Sequence, residues 1–379
     1  MLKVGIPILF NEKHWMGGIN YFRNLITAFS LIEQNDIELI LFCEKGDVFK
    51  TDDLKNVRQV VIPTLLSRKL SNRILNKLYG VNLSLLKAMR AEHVDILSHS
   101  PVNPTLDFKT LWWKPDFQEK HYPEFFTSKD ISLRDMAVRT NAKKGQLLFS
   151  SHDAYNDFIT FYGNIAQKKS HILQFVPEIN LLSSDDESNK ILSIREKYNI
   201  DEKYFFLPNQ FWKHKNHELV INAVLKNKES IQVVATGALN DYRGGEHIEF
   251  IKNLLKKDVN NKFKLLGMID RHELNYLMKG SLAVINPSRF EGWSTTVEEA
   301  KYLGKRLILS DIPVHHEQNP QDAIYVKCDD VDGMIDAMKI IAQEFDPEDE
   351  KQRATEAARI YSLKRKEFGL AYYNILKSL

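Results

Sequence analysis

The sequence predicts an α/β protein of two successive doubly wound parallel sheets, and three observations lead there. At 379 residues the chain is too long for one ordinary core and fits two domains of roughly 150–200 residues each. Short apolar runs alternate with helical patterns in both halves, as repeated βαβ units require. Between the halves the stretch PEINLLSSDDESN, 177–189, turns polar and acidic and reads as an interdomain linker.

In chain order, Lys3 to Leu9 and Ile37 to Cys43 read as buried strands. Between them Ile19, Phe22, Leu25, Ile26 and Phe29 share one helical face, which completes a βαβ unit. Val57 to Ile62, Val94 to Ser98, Thr110 to Trp113, Gln146 to Ser150 and His171 to Val176 continue the strand series. After the linker come Tyr204 to Leu207, Ile231 to Thr236, Phe263 to Leu266, Leu282 to Asn286, Arg306 to Ser310 and Ala323 to Val326. Helical segments near Glu218 to Leu225, Ile248 to Lys256 and Glu273 to Met278 lie between them. A last helical segment, Glu356 to Leu379, carries Tyr361, Phe368, Tyr372, Tyr373 and Leu376.

Composition bounds the function. Hydrophobic residues at 43% and charged residues at 27% are those of a globular chain that folds alone. A formal net charge of +2 implies no global field for nucleic acid. Cys43 and Cys328 lie far apart and suggest neither a disulfide framework nor a zinc ribbon, which fits a reducing cytosol. The start, MLKVGIPILF, does not read as a secretory signal, and no apolar run reaches the ~20 residues of a membrane span. A cytoplasmic protein, able to lie at the inner face of a membrane, is expected.

The densest chemistry lies in NPSRFEGWSTTVEEAKYLGKRLILS, 286–310: a strand, a hydroxyl-rich turn, a helix through Val297, Ala300 and Leu303, a stop at Gly304 and a second strand. Such a loop sits at the carboxyl end of a parallel strand, where open α/β sheets bind ligands. Thr295 and Glu298 have the spacing of a capping box, so Glu298 is expected to serve its own helix, which leaves Glu299 without a structural role. The macrodipole also favours an acid there, so Glu299 by itself fits either a bland or a functional part.

Glu-Gly-x-Ser-x-x-x-x-Glu-Ala after Pro-Ser resembles the E-x7-E signature of retaining GT-B glycosyltransferases, most closely glycosyltransferase family four. The resemblance covers most of the second half well and the first half loosely. It implies a GT-B fold: two Rossmann-like doubly wound domains facing a central cleft, with the C-terminal helix returning to the first. The boundaries expected are 1–178 for an acceptor-binding domain, 190–358 for a nucleotide-sugar-binding domain and 359–379 for the returning helix; a helix confined to the second domain is the alternative. By the same resemblance Glu291 meets hydroxyls of the donor sugar and Glu299 the ribose of the nucleotide.

A diphosphate needs anion contacts, which helix N-termini and cations provide. Gly17 and Gly18 open the first long helix, and their place matches the glycine loop of the family. LPNQFWKHKNHELVINAVL, 207–225, runs from a strand into a helix that Asn216 could cap, with Lys213 and Lys215 just before it. The family usually has an Arg five residues before this Lys; here it is Gln210, one full charge fewer, and Lys213 can substitute. Solvated lysines are common, but Trp212, His214 and His217 would make a costly loop if it only connected. The turn after Glu291 adds Gly292, Trp293, Ser294 and Thr295 as donors of amides and hydroxyls. Asn286, Pro287 and Ser288 shape that turn and receive no chemistry.

Metal chemistry is not expected. Adjacent His315 and His316 in DIPVHHE point different ways, and Asp330 and Asp332 precede a helix, where aspartates cap. In LWWKPDFQEKHYPEFF, 111–126, aromatics and charges at such density suit a carbohydrate or aglycone. The family commonly starts this loop with His-Asp; here Pro115-Asp116 keeps the acid and loses the histidine, so Asp116 joins Glu291 and Lys215 as a catalytic candidate. His99 and His121 are candidates for polar contacts or for structural roles. From Val60 to Arg90 the chain has no acid, while Arg68, Lys69, Arg73, Lys77, Lys87 and Arg90 alternate with leucines. Residues 60–90 can therefore dock on anionic lipid or form a solvated helix packed by its leucines.

The function implied is retaining, metal-independent transfer of a hexose from a nucleoside-diphosphate sugar to a hydroxyl of a growing cell-surface glycan or glycolipid, as in polysaccharide or lipopolysaccharide biosynthesis. Two alternatives remain open. One is a non-catalytic nucleotide-sugar-binding subunit of a polysaccharide assembly complex, which the missing Arg and His favour; the other is a sugar-nucleotide 2-epimerase. The nucleotide sugar enters as donor substrate, with no cofactor and no nucleic-acid partner.

Overall fold

The computed structural model describes residues 1–9, 16–46, 48–66, 82–100, 108–163, 165, 170–179, 186–229, 231–239 and 246–379. The chain divides into two compact units, Met1–Glu178 with Leu363–Leu379, and Ile179–Ser362. Much of the expected basic stretch, including Arg68, Lys69, Arg73 and Lys77, lies outside the described residues.

The first unit is built on a seven-stranded parallel sheet. Its strands are β1 (Leu2–Pro7), β2 (Ile37–Cys43), β3 (Val57–Val61), β4 (Ile96–Ser98), β5 (Lys109–Lys114), β6 (Gln146–Phe149) and β7 (Ser170–Ile172), in the order β3-β2-β1-β4-β5-β6-β7. Each apolar run read as a strand is one. Helix α1 (Met16–Phe29) buries the five residues expected on its inner face, Ile19, Phe22, Leu25, Ile26 and Phe29. Helices α2 (Leu83–Ala91), α3 (Gln118–His121), α4 (Ser128–Lys144) and α5 (His152–Tyr162) follow. On α2 the bases Lys87 and Arg90 are exposed, while Leu85 and Met89 enter the core.

The second unit holds a six-stranded parallel sheet. Its strands are β8 (Tyr204–Leu207), β9 (Gln232–Thr236), β10 (Phe263–Gly267), β11 (Val284–Asn286), β12 (Leu307–Ser310) and β13 (Ile324–Val326), in the order β10-β9-β8-β11-β12-β13. Helices α6 (Glu187–Tyr198), α7 (His217–Lys226), α8 (Glu246–Leu255), α9 (Arg271–Gly280), α10 (Thr295–Tyr302), α11 (Pro313–Gln318) and α12 (Val331–Gln343) complete the doubly wound pattern. The strands read as continuous apolar runs because both faces of the sheet are covered: every residue of β8, β9, β11 and β12 is buried.

The last helix, α13 (Pro347–Ser378), starts nine residues before the expected Glu356, because Pro347 is tolerated in a first turn and three acids follow it. Its end belongs to the first unit, where Tyr372 is fully buried and its hydroxyl donates to Ser98 Oγ at 2.8 Å. A Cβ at Gly369 would lie 2.3 Å from the carbonyl oxygen of Ala28, so only glycine lets this helix approach α1 so closely.

Gly304 terminates α10 as the sequence predicts, with φ of +71° and the Schellman bonds Gly304 N to Lys301 O at 3.1 Å and Lys305 N to Ala300 O at 2.9 Å. A Cβ there would lie 2.4 Å from Ala354 N, so strain and clash coincide. Gly304→Ala should therefore lower unfolding free energy by about 2 kcal/mol or more, read from the urea midpoint, and a midpoint within error of wild type would refute this account.

Candidate active site at the strand order reversal

The second sheet winds one way from β8 to β9 and β10 and the other way from β11 to β13, so the βα loops of β8 and β11 diverge where the order reverses. Open α/β sheets form a ligand crevice at the carboxyl edge of such a point. Both loops bring charge to it. Lys215, in a 3-10 turn (Lys213–Lys215) between β8 and α7, places its Nζ 2.6 Å from Glu291 Oε1 in the loop after β11. The side chains are 15% and 10% exposed, close to full burial but open at one edge. Desolvation pushes the Glu291 carboxyl up, but Lys215 and then His214 outweigh it and hold it at about 2.

A buried polar scaffold fixes these loops. Asn286 ends β11 with no exposed surface; its Nδ2 donates to Ser294 Oγ at 2.8 Å, and its Oδ1 accepts from Asn209 Nδ2 at 3.1 Å and Ser288 Oγ at 2.6 Å. Thr296 Oγ1 donates to Asn209 Oδ1 at 3.3 Å, so the β8 loop is tied to the first turn of α10. Asn216 Nδ2 donates to Pro287 O at 3.1 Å and Cys328 O at 2.9 Å, and Arg289 N donates to His214 O at 2.8 Å. Networks of this kind rigidify a site because each broken bond would leave a further buried polar atom unpaired, as Asn216 Oδ1 already is.

Other titratable groups flank the pair. Glu299 on α10 is 4% exposed and accepts from the Arg271 guanidinium at the start of α9. His315 on α11 is fully buried, with Nδ1 2.9 Å from Ser310 O, and burial pushes its imidazole down to about 4. Its Nε2 has no hydrogen-bond partner, and its electrostatic neighbours include Glu291 and Lys215. His316 turns outward, stacking on Tyr325 and donating from Nε2 to Asp311 Oδ1 at 2.7 Å. Among the described residues no cluster of three or more His, Cys, Asp or Glu is placed to hold a metal ion.

With this geometry in view, residues 190–360 match the family described as "Glycosyl transferases group 1". Residues 190–360 belong to the group 1 glycosyltransferases. The O-antigen chain mannosyltransferase RfbU of Salmonella typhimurium is 24% identical over 232 residues, which is 60% of this chain and 59% of the relative; the match therefore leaves out about two fifths of that protein. Alr3699/HepE of Anabaena, solved in complex with UDP and glucose, superposes with a TM-score of 0.75 at 14% identity over 100% of both chains. WaaG, a glycosyltransferase involved in lipopolysaccharide biosynthesis, superposes with a TM-score of 0.65 at 15% identity over 97% of this chain and 99% of its own. Two parallel sheets of this order and these likenesses make the fold GT-B.

Within the group 1 unit the structure brings Lys215, Glu291, Ser294, Thr295 and Glu299 to one edge of one sheet. Lys213 is exposed beside them, and Gln210, Gly292 and Trp293 are partly exposed. Gly17 and Gly18 lie in the first turn of α1, in the other unit. Asp116 is also in that unit; it accepts from Gln118 N at 3.0 Å, beside the buried pair of Lys114 and Glu119 at 2.8 Å. Desolvation raises the Asp116 carboxyl against the pull of Lys114.

Several local expectations are corrected. Ser294, not Thr295, is the N-cap of α10, accepting from Val297 N at 3.4 Å. Glu298 does not reach back to cap; it is buried and accepts from Gln318 Nε2 at 2.9 Å and Lys301 Nζ at 3.0 Å. Asn216 precedes α7 in the left-handed region, φ +56°, and spends its side chain on the scaffold rather than on the helix. The loop 207–217 is not a costly exposed one, because Phe211, His214 and His217 are buried, with His217 stacked 3.8 Å from Phe211. In 111–126 an ordinary strand and a short helix form where dense aromatics argued against both; Trp112, Trp113 and Phe117 pack inside, while Tyr122, Phe125 and Phe126 stay partly exposed. His99 is locked inside between Tyr21 Oη at 2.8 Å and Ser98 Oγ at 2.7 Å, while His121 pairs with Asp157 at 2.8 Å. Asp330 caps α12 as expected, accepting from Gly333 N at 2.8 Å. Arg271, Asn209 and Gln318 were not singled out by the sequence.

The buried imidazoles set an acid limit. His315 and His217 hold their neutral forms down to about 4 and about 3, whereas the unfolded chain protonates both below 6.5. Protons bound to the unfolded state alone reduce stability, so stability should fall as pH drops from 6.5 towards 4. His315→Asn should flatten that slope by one proton's worth, about 1.4 kcal/mol per pH unit, in denaturant titrations at stepped pH; an unaltered slope would contradict it.

Proposed function

We propose that this protein transfers a sugar from a nucleoside-diphosphate donor to a hydroxyl of a cell-surface glycan or glycolipid, with retention at the anomeric carbon. The observation that carries this reading is the Lys215–Glu291 pair at the point where the strand order of the group 1 unit reverses. A lysine ammonium has three donors, and the contact to Glu291 Oε1 uses one. The others can meet phosphate oxygens while the carboxylate accepts from hydroxyls of the sugar. Glu299 takes the ribose, and Lys213 and the turn amides of Gly292 and Trp293 take the diphosphate; Gly17 and Gly18, at the start of α1, offer backbone amides suited to an anion. Residues 190–358 then form the donor domain, and 1–178 with 359–379 the acceptor domain, where Asp116 faces the acceptor.

In the proposed step the bond between the anomeric carbon and the phosphate oxygen breaks, its electron pair leaving with the diphosphate. The acceptor oxygen bonds to the same face of that carbon, and its proton passes to the departing phosphate oxygen. Cations and amide dipoles stabilise the growing phosphate charge, so no protein nucleophile and no metal ion enter the scheme. The relatives support the substrate class: RfbU is named for O-antigen chain mannosyl transfer, HepE was solved with UDP and glucose, and WaaG acts in lipopolysaccharide biosynthesis. Among the described residues no helix is long and apolar enough to cross a membrane, and the reading places the protein in the cytoplasm, with residues 60–90 touching the inner membrane face.

Release of nucleoside diphosphate on mixing with a UDP- or GDP-linked hexose and a lipid-linked glycan acceptor tests the reading. Glu291→Gln and Lys215→Met should each lower transfer at least a hundredfold with circular dichroism unchanged. Wild-type activity in either folded variant rejects the assignment, and donor binding without release favours a non-catalytic binding subunit, a reading that Gln210 in place of a second fixed cation also suits. Conversion of the donor to its 2-epimer with no acceptor present favours the epimerase.

A further inference from the structure

Three acids lie on the loop and helix after β11, and each has a different partner. Glu291 pairs with Lys215 and Glu298 with Lys301 and Gln318, both within the scaffold already described. Glu299 pairs with Arg271, and here the two ends are unequal: the carboxylate side chain is 5% exposed and the guanidinium side chain 43%. The partners come from βα loops whose strands are not neighbours, since β9 and β8 separate β10 from β11. Arg271 opens α9 directly after Asp270, which caps that helix by accepting from His272 N at 2.8 Å, so the backbone of Arg271 is fixed at the carboxyl edge of the sheet.

A buried carboxylate needs a cation, but a fully buried lysine, or apolar residues in place of both partners, would serve stability as well. The pair differs from a merely structural one in leaving the guanidinium half in solvent, with one of its five N–H donors on Glu299 Oε1. A guanidinium only donates and a carboxylate only accepts, whereas a hydroxyl does both. Two vicinal hydroxyls laid against the pair can donate to the carboxylate and accept from the guanidinium at once, and an isolated carboxylate could satisfy only half of those bonds.

We propose that Arg271 and Glu299 together form a reader of vicinal diols, with Arg271 clamping the two ribose hydroxyls that Glu299 accepts from. This rests on the donor reading given above and adds a residue to it: Arg271 binds the nucleoside part of the donor and takes no part in bond breaking. Contacts made equally in ground and transition states lower KM without raising kcat, so a clamp of this kind acts on KM.

The test compares binding of UDP and GDP with their 2′,3′-dideoxy counterparts by titration calorimetry on the full chain. Wild type should bind one ribonucleotide about tenfold or more tighter than its dideoxy form, the usual worth of a hydrogen bond to a charged group. Arg271→Gln should lose about tenfold for the ribonucleotide and nothing for the dideoxynucleotide, and Arg271→Lys should recover part of the difference. In turnover, Arg271→Gln should raise donor KM with kcat within about twofold. Equal loss for both nucleotides in Arg271→Gln, or loss for neither, overturns the clamp and leaves the donor reading standing. A wild type that binds neither UDP nor GDP overturns both.

Discussion

The site depends on one buried ion pair, Lys215 with Glu291, across the point where the sheet of the group 1 unit reverses its winding. Burying two charges costs several kcal/mol each, and the cost is met only when geometry is good and the remaining polar atoms are satisfied. The scaffold around Asn286, to which Asn209, Ser288, Ser294 and Thr296 are tied directly or through one residue, fixes the loops that carry the pair. The βα loops of β8 and β11 are thus held to each other by polar bonds as well as by the parallel pairing of their strands. A protein selected for stability alone would fill this edge with apolar side chains, so the retained charges point to a ligand.

Neighbouring acids in one sequence motif divide three tasks by direction. Glu298 faces inward to Gln318, which also receives the Ser294 amide at 3.3 Å and donates to the Ser294 carbonyl at 2.9 Å, so it anchors the α10 entrance to α11. Glu299, the next residue along the helix, points elsewhere, to Arg271. Glu291 precedes the helix and meets Lys215. Helical geometry separates successive side chains by about 100°, which explains how adjacent identical residues take unrelated partners.

What the sequence discloses and what it hides divides along the same physical lines. The strands were legible because parallel strands covered on both faces are uninterrupted apolar runs, and α1 was legible through its five-residue apolar face. Helix α4 was not singled out: it is polar almost all round, burying only Val138, Asn141 and Ala142, and its signal lay in the cap, where Thr127 accepts from Asp130 N at 3.1 Å. Hydroxyl-rich turns misled because Ser294 and Thr295 both suit a cap, and the Asn286 contact chooses between them. Lys215 and Glu291 were legible as a motif, but not as a pair, since 76 residues separate them. Arg271 left no mark, because an arginine in a first helical turn is ordinary until its carboxylate partner is seen.

Gln210 stands where the family resemblance leads one to expect a fixed cation. The loop after β9 comes so close that a Cβ at Gly237 would lie 2.3 Å from Asn209 O, and Phe211 N donates to Ala238 O at 3.0 Å. The backbone on both sides of Gln210 is therefore held, and a neutral side chain is presented from a rigid segment. Charge on this loop then rests with exposed Lys213 and with Lys215, whose ammonium Glu291 already shares. A cation that grips the diphosphate equally before and during bond breaking strengthens binding without speeding the chemical step. On the proposed reading, losing such a cation weakens donor capture and spares the chemistry, with Lys215 left as the cation at the departing phosphate. The scaffold of Asn209 and Asn286 fixes the loops on either side of Lys215, and on the same reading the ribose end of the donor makes up the missing affinity through Glu299 and Arg271.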